Sequence, residues 1–508
     1  MRLGIVLVTK PYAGGAFTYA AFMLEAISRA NDSISEIVAY YTDNLWEKYL
    51  DRYSNIQGVL LEGEYLEIID KLNNSSCDVI LLSDQLNWCR DISIPTITPI
   101  HDLMHIYERG NGFPEIEDND CFTLRQWLYT DIYSYSAGIL TDSELGRKQV
   151  LDQYGRVKED RVYALPFSVP FYLNKQYGKK TSPISGKYIF YPAQFWKHKN
   201  HEALVKAVVK LKAKGMPIKL VFVGSDKGNL ENIKRLMDDN SVTENIEILG
   251  FVPDDEMYML YKNARAMVMP SIFGPTNIPP LEAMYMGCPV AVSKRYAMPE
   301  QVGDAGLTFD PYNIDEIADV LEQLWCDDNL CNQLSIKGKT QIEKFSIDVF
   351  SSRLLSYIED VYRKENESFG EIREFITKCK EKECIYIYGA GEYARYVFGI
   401  LNYYGVDVKG FIVSSDTKYD IYFGLPVISV SSYKYSDDSM IVLGLHPKNH
   451  VAVLKVLAER GVPKQSIWEI DESFFSNMWK FFTSVRGKSC LPFLVEKYAK
   501  RLIDVCDI

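Results

Sequence analysis

The chain reads as an α/β protein. Two doubly wound units, each a parallel sheet covered by helices, are followed by a third, smaller unit of the same kind and a helical tail. Short apolar runs alternate with amphipathic stretches of helical period along most of the 508 residues, and strand–helix alternation implies a parallel sheet with helices on its faces. Two polar segments interrupt it, a Gly/Pro/Ser/Lys-containing linker at 174–185 and the run Glu365-Asn366-Glu367-Ser368. At about 150 residues per domain the length suits three domains.

In the first unit the strands are expected at 3–8, 79–82 and 96–100, with a helix at 17–29. It ends near Pro170, giving a domain of residues 1–173. In the second, strands are expected at 187–191, 219–223, 246–249, 266–269 and 290–293, with helices at 201–214, 230–238, 254–263 and 280–286. The amphipathic stretch 347–364 closes this domain, 174–364; a third domain follows at 369–471 and a helical tail at 472–508. Two doubly wound units joined by a linker leave a cleft, with ligand sites at the C-terminal ends of the strands.

Composition narrows the function classes. A net charge of -12 argues against broad nucleic-acid binding, which needs clustered Lys and Arg. No apolar run reaches the 18 or so residues that cross a bilayer, and the opening Met1–Val8 run is a buried strand rather than a signal peptide. The ten cysteines are scattered, and the closest pairs, Cys326/Cys331 and Cys379/Cys384, lack metal-ligand spacing. They read as reduced thiols of a cytoplasmic protein.

The strongest motif is Phe273-Gly274-Pro275-Thr276-Asn277-Ile278-Pro279-Pro280-Leu281-Glu282-Ala283. A strand ends, a Gly/Pro loop follows and a helix opens, so loop amides and the helix N-terminus can hold an anion. A carboxylate there can accept two ribose hydroxyls; equally, Glu282 can complement the helix dipole. The second motif, Tyr191-Pro192-Ala193-Gln194-Phe195-Trp196-Lys197-His198-Lys199-Asn200, puts cations at a strand end. The third, Lys10-Pro11-Tyr12-Ala13-Gly14-Gly15, follows the first strand, where paired glycines permit close backbone approach. The fourth is Pro99-Ile100-His101-Asp102-Leu103-Met104-His105, and Leu140-Thr141-Asp142-Ser143-Glu144 lies at another strand end.

In this order these segments resemble glycosyltransferase family 4, over about residues 1–364. The resemblance implies the GT-B arrangement of two Rossmann-like domains, a nucleotide diphosphate sugar as donor, no required cofactor or metal, and retention of anomeric configuration. It implies that Glu282 holds the donor ribose and that Lys199 meets the diphosphate, the two facing one another across one pocket. Gln194 stands where the family has an arginine, with Lys197 available to compensate. Gly274 stands where the family has the first glutamate of a Glu-x7-Glu pair, leaving Thr276, Asn277 and Ile278 nearest the sugar and phosphate. Gly14 and Gly15 would approach the donor phosphate and the acceptor, and His101 the anomeric carbon. His105 reads as a capping residue, with an acceptor-side role as the alternative. The turn at Glu300 and Gly303-Asp304-Ala305-Gly306 matches the family as a structural element. The implied reaction is front-face displacement moving a hexose-type sugar to a glycan or lipid-linked acceptor in surface polysaccharide synthesis. The competing reading, motivated by Gly274 and Gln194, is a catalytically silent scaffold or partner subunit.

The third unit opens with Tyr388-Gly389-Ala390-Gly391-Glu392-Tyr393-Ala394, a strand running into a Gly-x-Gly-x-x-Ala turn. It resembles the small Rossmann-like domains attached to sugar-modifying enzymes. Gly389 and Gly391 are candidate phosphate-loop residues, although a packing or assembly role weighs more, and His446 marks a second strand end. The tail carries Phe474, Phe475, Met478, Trp479, Phe481, Phe482 and Val485 near one helical face, with Lys480, Arg486 and Lys488 nearby. Such a stripe docks on its own protein more often than on a membrane surface. Peripheral membrane contact at the inner face and homo-oligomerisation stay open.

Overall fold

The computed structural model describes residues 1–11, 14–30, 33–117, 119–156, 158–174, 183–274, 276–414 and 420–483. The first domain is a parallel sheet of β1 (Arg2–Leu7), β2 (Glu36–Tyr41), β3 (Ile56–Leu60), β4 (Val79–Leu82), β5 (Thr96–Pro99), β6 (Gly138–Thr141) and β7 (Val162–Ala164). Their spatial order is β3-β2-β1-β4-β5-β6-β7. β1, β4, β5 and β6 are almost wholly buried, and β1 and β4 are almost wholly apolar, as suits strands covered on both faces. Separate apolar clusters line the two faces, one around Phe22 and Trp46, the other around Leu82 and Ile132.

The second sheet holds β8 (Ile189–Pro192), β9 (Leu220–Val223), β10 (Ile246–Ile248), β11 (Ala266–Met269), β12 (Val290–Ser293) and β13 (Gly306–Phe309). It is also parallel, in the order β10-β9-β8-β11-β12-β13. In both sheets the order reverses beside the first strand, which opens a crevice at the C-terminal edge. The expected elements of this domain are all present, with ends displaced by one or two residues; the helix of the main motif begins earlier, spanning Ile278–Tyr285 with prolines in its first turn.

The polar run 365–368 is not a break. One helix spans Ile347–Lys380 without interruption. Ser346 caps it, its hydroxyl accepting from the Val349 amide at 3.3 Å. Phe350, Leu354, Ile358 and Val361 insert into the first domain's core. Further along the same helix, Ile372, Phe375, Ile376 and Cys379 insert into the core of the third domain. Between these stretches, Glu365 is 2% exposed and ion-paired with Arg161 at 2.6 Å. A buried polar residue thus lies on the apolar stripe and is satisfied by a half-buried guanidinium. Gly138 fits this packing: a Cβ there would come within 2.7 Å of Val361 Cγ2.

The third domain contains β14 (Cys384–Tyr388), β15 (Val408–Val413), β16 (Ile421–Tyr422), β17 (Leu425–Ser429), β18 (Ser439–Leu443) and β19 (Ile467–Glu469), in the order β16-β17-β15-β14-β18-β19. The sheet is mixed: β16 runs antiparallel to β17 at one edge and the other pairs are parallel. The tail's helix Glu472–Thr483 docks on this domain, with Phe474, Met478, Phe481 and Phe482 in its core. The apolar stripe that could have lain on a membrane is therefore largely taken up by the protein itself. Val485, Arg486 and Lys488 lie outside the described residues. No described helix is long and apolar enough to cross a membrane.

Breaking a buried ion pair costs far more than replacing both partners with apolar residues. Arg161→Met should therefore destabilise the protein by about 3 kcal/mol. The double variant Arg161→Met/Glu365→Met should recover most of that loss, with thermal unfolding as the measurement. Additive losses would contradict the role given to the pair.

Candidate functional site

A cavity of about 340 Å³ opens between the C-terminal edges of the first two sheets. The first domain contributes His101, Asp102, Met104, Arg125, Asp142 and Phe167; the second contributes Trp196, His198, Lys199, Phe273, Gly274, Thr276 and Asn277. Of the residues singled out from sequence, the fold thus gathers His101, Lys199, Thr276 and Asn277 on one wall system.

The segment after β8 is a short 3-10 turn, Lys197–Lys199, ending at Asn200 in the left-handed region, φ 58. Asn200 is structural: its amide donates to the Pro270 and Pro311 carbonyls at 3.1 and 2.8 Å. Its neighbour Lys199 is thereby aimed into the cavity, where Nζ donates to Asn277 Oδ1 at 3.1 Å. Lys197 is not beside it. Its ammonium crosses the cleft to the Gly112 carbonyl at 2.9 Å, so in this conformation it ties the domains together rather than standing in for a missing cation. Gln194 is exposed and turned away, accepting from Trp196 Nε1 at 3.0 Å; Trp196, not Gln194, reaches the cavity.

The loop after β11 explains its glycine. Gly274 has φ +140, and a Cβ there would fall 2.5 Å from the Asn277 amide nitrogen. The Asn277 side chain occupies the space that any side chain at 274 would need. Gln301 pins this loop from beneath, accepting from the Asn277 amide and donating to the Asn277 carbonyl at 2.6 Å. Ile278 opens the following helix and does not line the cavity.

Glu282 lies one turn into that helix and is not part of the cavity wall. It does not face Lys199 across the pocket. Its oxygens accept from the hydroxyls of Tyr172, 2.8 Å, and Tyr261, 2.5 Å. Burial pushes its carboxyl above the usual range, and the two hydroxyls oppose that shift. Each carboxylate oxygen retains a second acceptor site. Gly14 and Gly15 begin the helix Gly14–Ser28, and a Cβ at either would meet no atom within 4 Å; neither lines the cavity.

His101 sits at the end of β5, its amide donating to Gln85 Oε1 at 3.1 Å. Its ring packs edge-on against Tyr19, centroids 4.6 Å apart. Burial lowers its pKa against the pull of Asp84 and Asp102, so the ring is neutral at neutral pH. His105 caps nothing. It is fully buried between Phe122 and Tyr129, with its pKa lowered to about 4 by desolvation.

Residues without an assigned role in the sequence close the cleft. Glu108, fully buried, accepts from Arg295 at 2.5 Å and from the Tyr296 hydroxyl across the domain boundary. Beside them Met104, Phe113 and Ile116 pack on Ile272 and Phe273. Asp142, 3% exposed, accepts from Thr276 Oγ1 at 2.8 Å. Only its place after a strand in a motif-bearing segment pointed to it; Glu108 and Arg295 carried no comparable signal.

In the third domain, Gly389 and Gly391 form the turn between β14 and the helix Glu392–Tyr403. Gly389 has φ +114, and a Cβ there would lie 2.6 Å from the Gly444 carbonyl. This glycine is required for two strand ends to approach. Residues 415–419, which follow β15, lie outside the described residues.

Burial raises Asp142 to about 7, aided by Asp102 and opposed by the Thr276 hydrogen bond. The folded protein therefore holds a proton that the unfolded chain has lost, from the ordinary carboxylate pKa up to about 7. Stability contributed by that proton is full at low pH and falls as pH rises through this window. Asp142→Asn should abolish that fall, so its melting temperature should exceed the wild type's increasingly from pH 5 to pH 8. Parallel curves would refute the assignment.

Residues 175–341 match the family model "Glycosyl transferases group 1". The O-antigen chain mannosyltransferase B of Escherichia coli is 41% identical over 101 residues, 20% of this chain and 26% of that protein. The serotype-specific mannosyltransferase WbdA of Escherichia coli is 27% identical over 270 residues, 50% of this chain and 32% of that protein. The chain thus matches between a quarter and a third of the length of these relatives. Anabaena Alr3699/HepE, solved in complex with UDP-glucose, superposes with a TM-score of 0.56 at 14% identity, over 70% of this chain and 99% of its own. Sucrose-phosphate synthase from Thermosynechococcus elongatus gives 0.56 at 16% identity, over 72% and 100%. The group 1 glycosyltransferase model thus spans the second of two parallel sheets that face one another across a cleft, and the two sheets together share the GT-B fold of these solved structures.

Proposed function

We propose that the chain is an active, retaining hexosyltransferase. It would move a sugar from a nucleotide diphosphate donor to a hydroxyl of a glycan or lipid-linked acceptor in surface polysaccharide synthesis. One observation carries this reading: a cation, an amide, a hydroxyl, a carboxyl group and an imidazole converge on one cavity between the domains. That is the equipment needed to hold a diphosphate at one end and a sugar at the other. The mannosyltransferases among the relatives favour a mannose-type donor and a polysaccharide acceptor.

In this mechanism the Lys199 ammonium, aided by the dipole of the helix Ile278–Tyr285, stabilises charge on the departing diphosphate. Asn277 orients Lys199 and offers its own amide to the sugar. As the anomeric bond lengthens, positive charge develops on the sugar ring. A neutral His101 beside it adds no opposing charge, whereas an imidazolium would. A phosphate oxygen of the leaving group takes the acceptor proton, so the protein supplies no base on that face. Glu282 would bind the ribose through its remaining lone pairs, sharing or replacing the Tyr172 hydroxyl. Domain closure excludes water. No metal is needed by this scheme, so a chelator should leave turnover unchanged. The free thiols of the described cysteines fit a reducing compartment at the inner side of the membrane.

Lys199→Ala should lower kcat by about a hundredfold or more while leaving the melting temperature within a degree or two, because one preorganised charge is worth several kcal/mol in the transition state. Turnover with a panel of nucleotide sugars is the measurement. Wild-type turnover in the variant would overturn the role of Lys199. Absence of binding and turnover with every donor would favour the silent-scaffold reading instead.

A further inference from the structure

Asp142 stands out among the acids of the cavity. It follows β6 and directly precedes Ser143, whose hydroxyl caps the helix Glu144–Tyr154 by accepting from the Gly146 amide. This cap and the strand end fix the aspartate's position against the cleft. It is 3% exposed yet forms part of the cavity wall. Its side-chain hydrogen-bond partners are hydroxyls: Thr276 Oγ1 at 2.8 Å on one oxygen and Ser143 Oγ at 3.3 Å on the other. The neighbouring charge acting most strongly on it is another acid, Asp102. Burying a carboxylate among hydroxyls is expensive, and an ionised carboxylate keeps about four acceptor sites.

The other acid of the cavity is already engaged. Asp102 accepts from the Met104 amide at 2.9 Å and lies 4.0 Å from the Arg125 guanidinium. On the opposite wall, Gly274 has no side chain and the Asn277 amide fills its space. The donor-side loop thus presents amide and hydroxyl groups to the cavity, but no carboxylate. Thr276 reaches across from that loop, so the Asp142 carboxylate lies where a hydroxyl from the donor side can meet it.

We propose that Asp142 is the residue that reads a hydroxyl of the transferred sugar, supplying from the first domain the carboxylate that the donor loop lacks at Gly274. This rests on the reading that the cavity takes the sugar of a nucleotide donor. Asp142 accepts the sugar hydroxyl on a lone pair not used by Thr276 or Ser143. It is thereby a specificity-determining residue, and it makes the contact only when the domains are closed.

The test uses the full chain and the best nucleotide sugar from a donor panel, together with its monodeoxy analogues. One deoxy donor should cost the wild type about tenfold or more in kcat/KM, as a site built to bond a hydroxyl rejects the analogue without it. Asp142→Asn should lose a similar factor with the parent donor and lose nothing further with that deoxy donor. Thr276→Val, which keeps the carboxylate, should retain the wild-type penalty. The acceptor KM should not move, and the free nucleoside diphosphate should bind Asp142→Asn as it binds the wild type, which also verifies the variant's fold. If Asp142→Asn does not fold, loss of the deoxy penalty in Thr276→Val, or no penalty for any deoxy donor in the wild type, overturns the proposal. So does an unchanged penalty in Asp142→Asn, or a change confined to the acceptor KM. A wild type that binds no nucleotide sugar removes the underlying reading as well, which distinguishes the two failures.

Discussion

The structure depends on a buried carboxylate at the domain boundary. Glu108 belongs to the first domain and is fully buried, and its charge is met by Arg295 and Tyr296 of the second. A carboxylate removed from water is costly unless it is paired and hydrogen-bonded. Such a pair adds little net attraction between the domains, but it penalises every arrangement that buries Glu108 without its partners. The apolar contacts of Met104, Phe113 and Ile116 with Ile272 and Phe273 supply the attraction, and the ion pair selects the register. The cavity lies beside this contact, and Met104 and Phe273 serve both. Site geometry and closure geometry are therefore one constraint.

The same coupling accounts for the donor loop. An arrangement with Gly274 and Asn277 exchanges a flexible acidic side chain at 274 for an asparagine whose backbone is held by Gln301 and whose side-chain oxygen is held by Lys199. Restoring a side chain at 274 would require φ +140 in a non-glycine residue and displacement of the Asn277 amide. Neither position can change alone. What looks in sequence like the loss of one contact is, in three dimensions, a different solution for the whole loop.

This is also the limit of what the sequence disclosed. Strand ends carrying Lys199, His101 and the 274–282 loop were legible because buried parallel strands are short apolar runs and their loops carry glycine and proline at set places. Side-chain direction was not. Nothing in Gln194 or Lys197 says that one turns outward to Trp196 and the other bridges to Gly112, since both follow from the turn ending at Asn200. Glu282 was placed on the right helix, but its two tyrosines come from residues 172 and 261, remote in sequence. The run 365–368 misled for a related reason. Glu365 interrupts an apolar stripe, and only the distant Arg161 makes that interruption compatible with a buried helix.

That helix and the hinge together define how the cleft can move. The chain crosses between the two domains once around Phe171–Asn174 and again at Ser346, where the long helix returns to the first domain. The crossings are near one another, since Ser168 Oγ donates to the Phe345 carbonyl at 3.0 Å. Rotation about this pair of crossings would break the contacts that Glu108, Lys197 and Thr276 make between the domains. Tyr172 lies in the first crossing and holds Glu282; Phe167, just before that crossing, lines the cavity and packs against Tyr19. The hinge is therefore continuous with both ends of the site, and a ligand that rearranges the hydrogen bonds of Glu282 acts directly on the segment about which the domains turn.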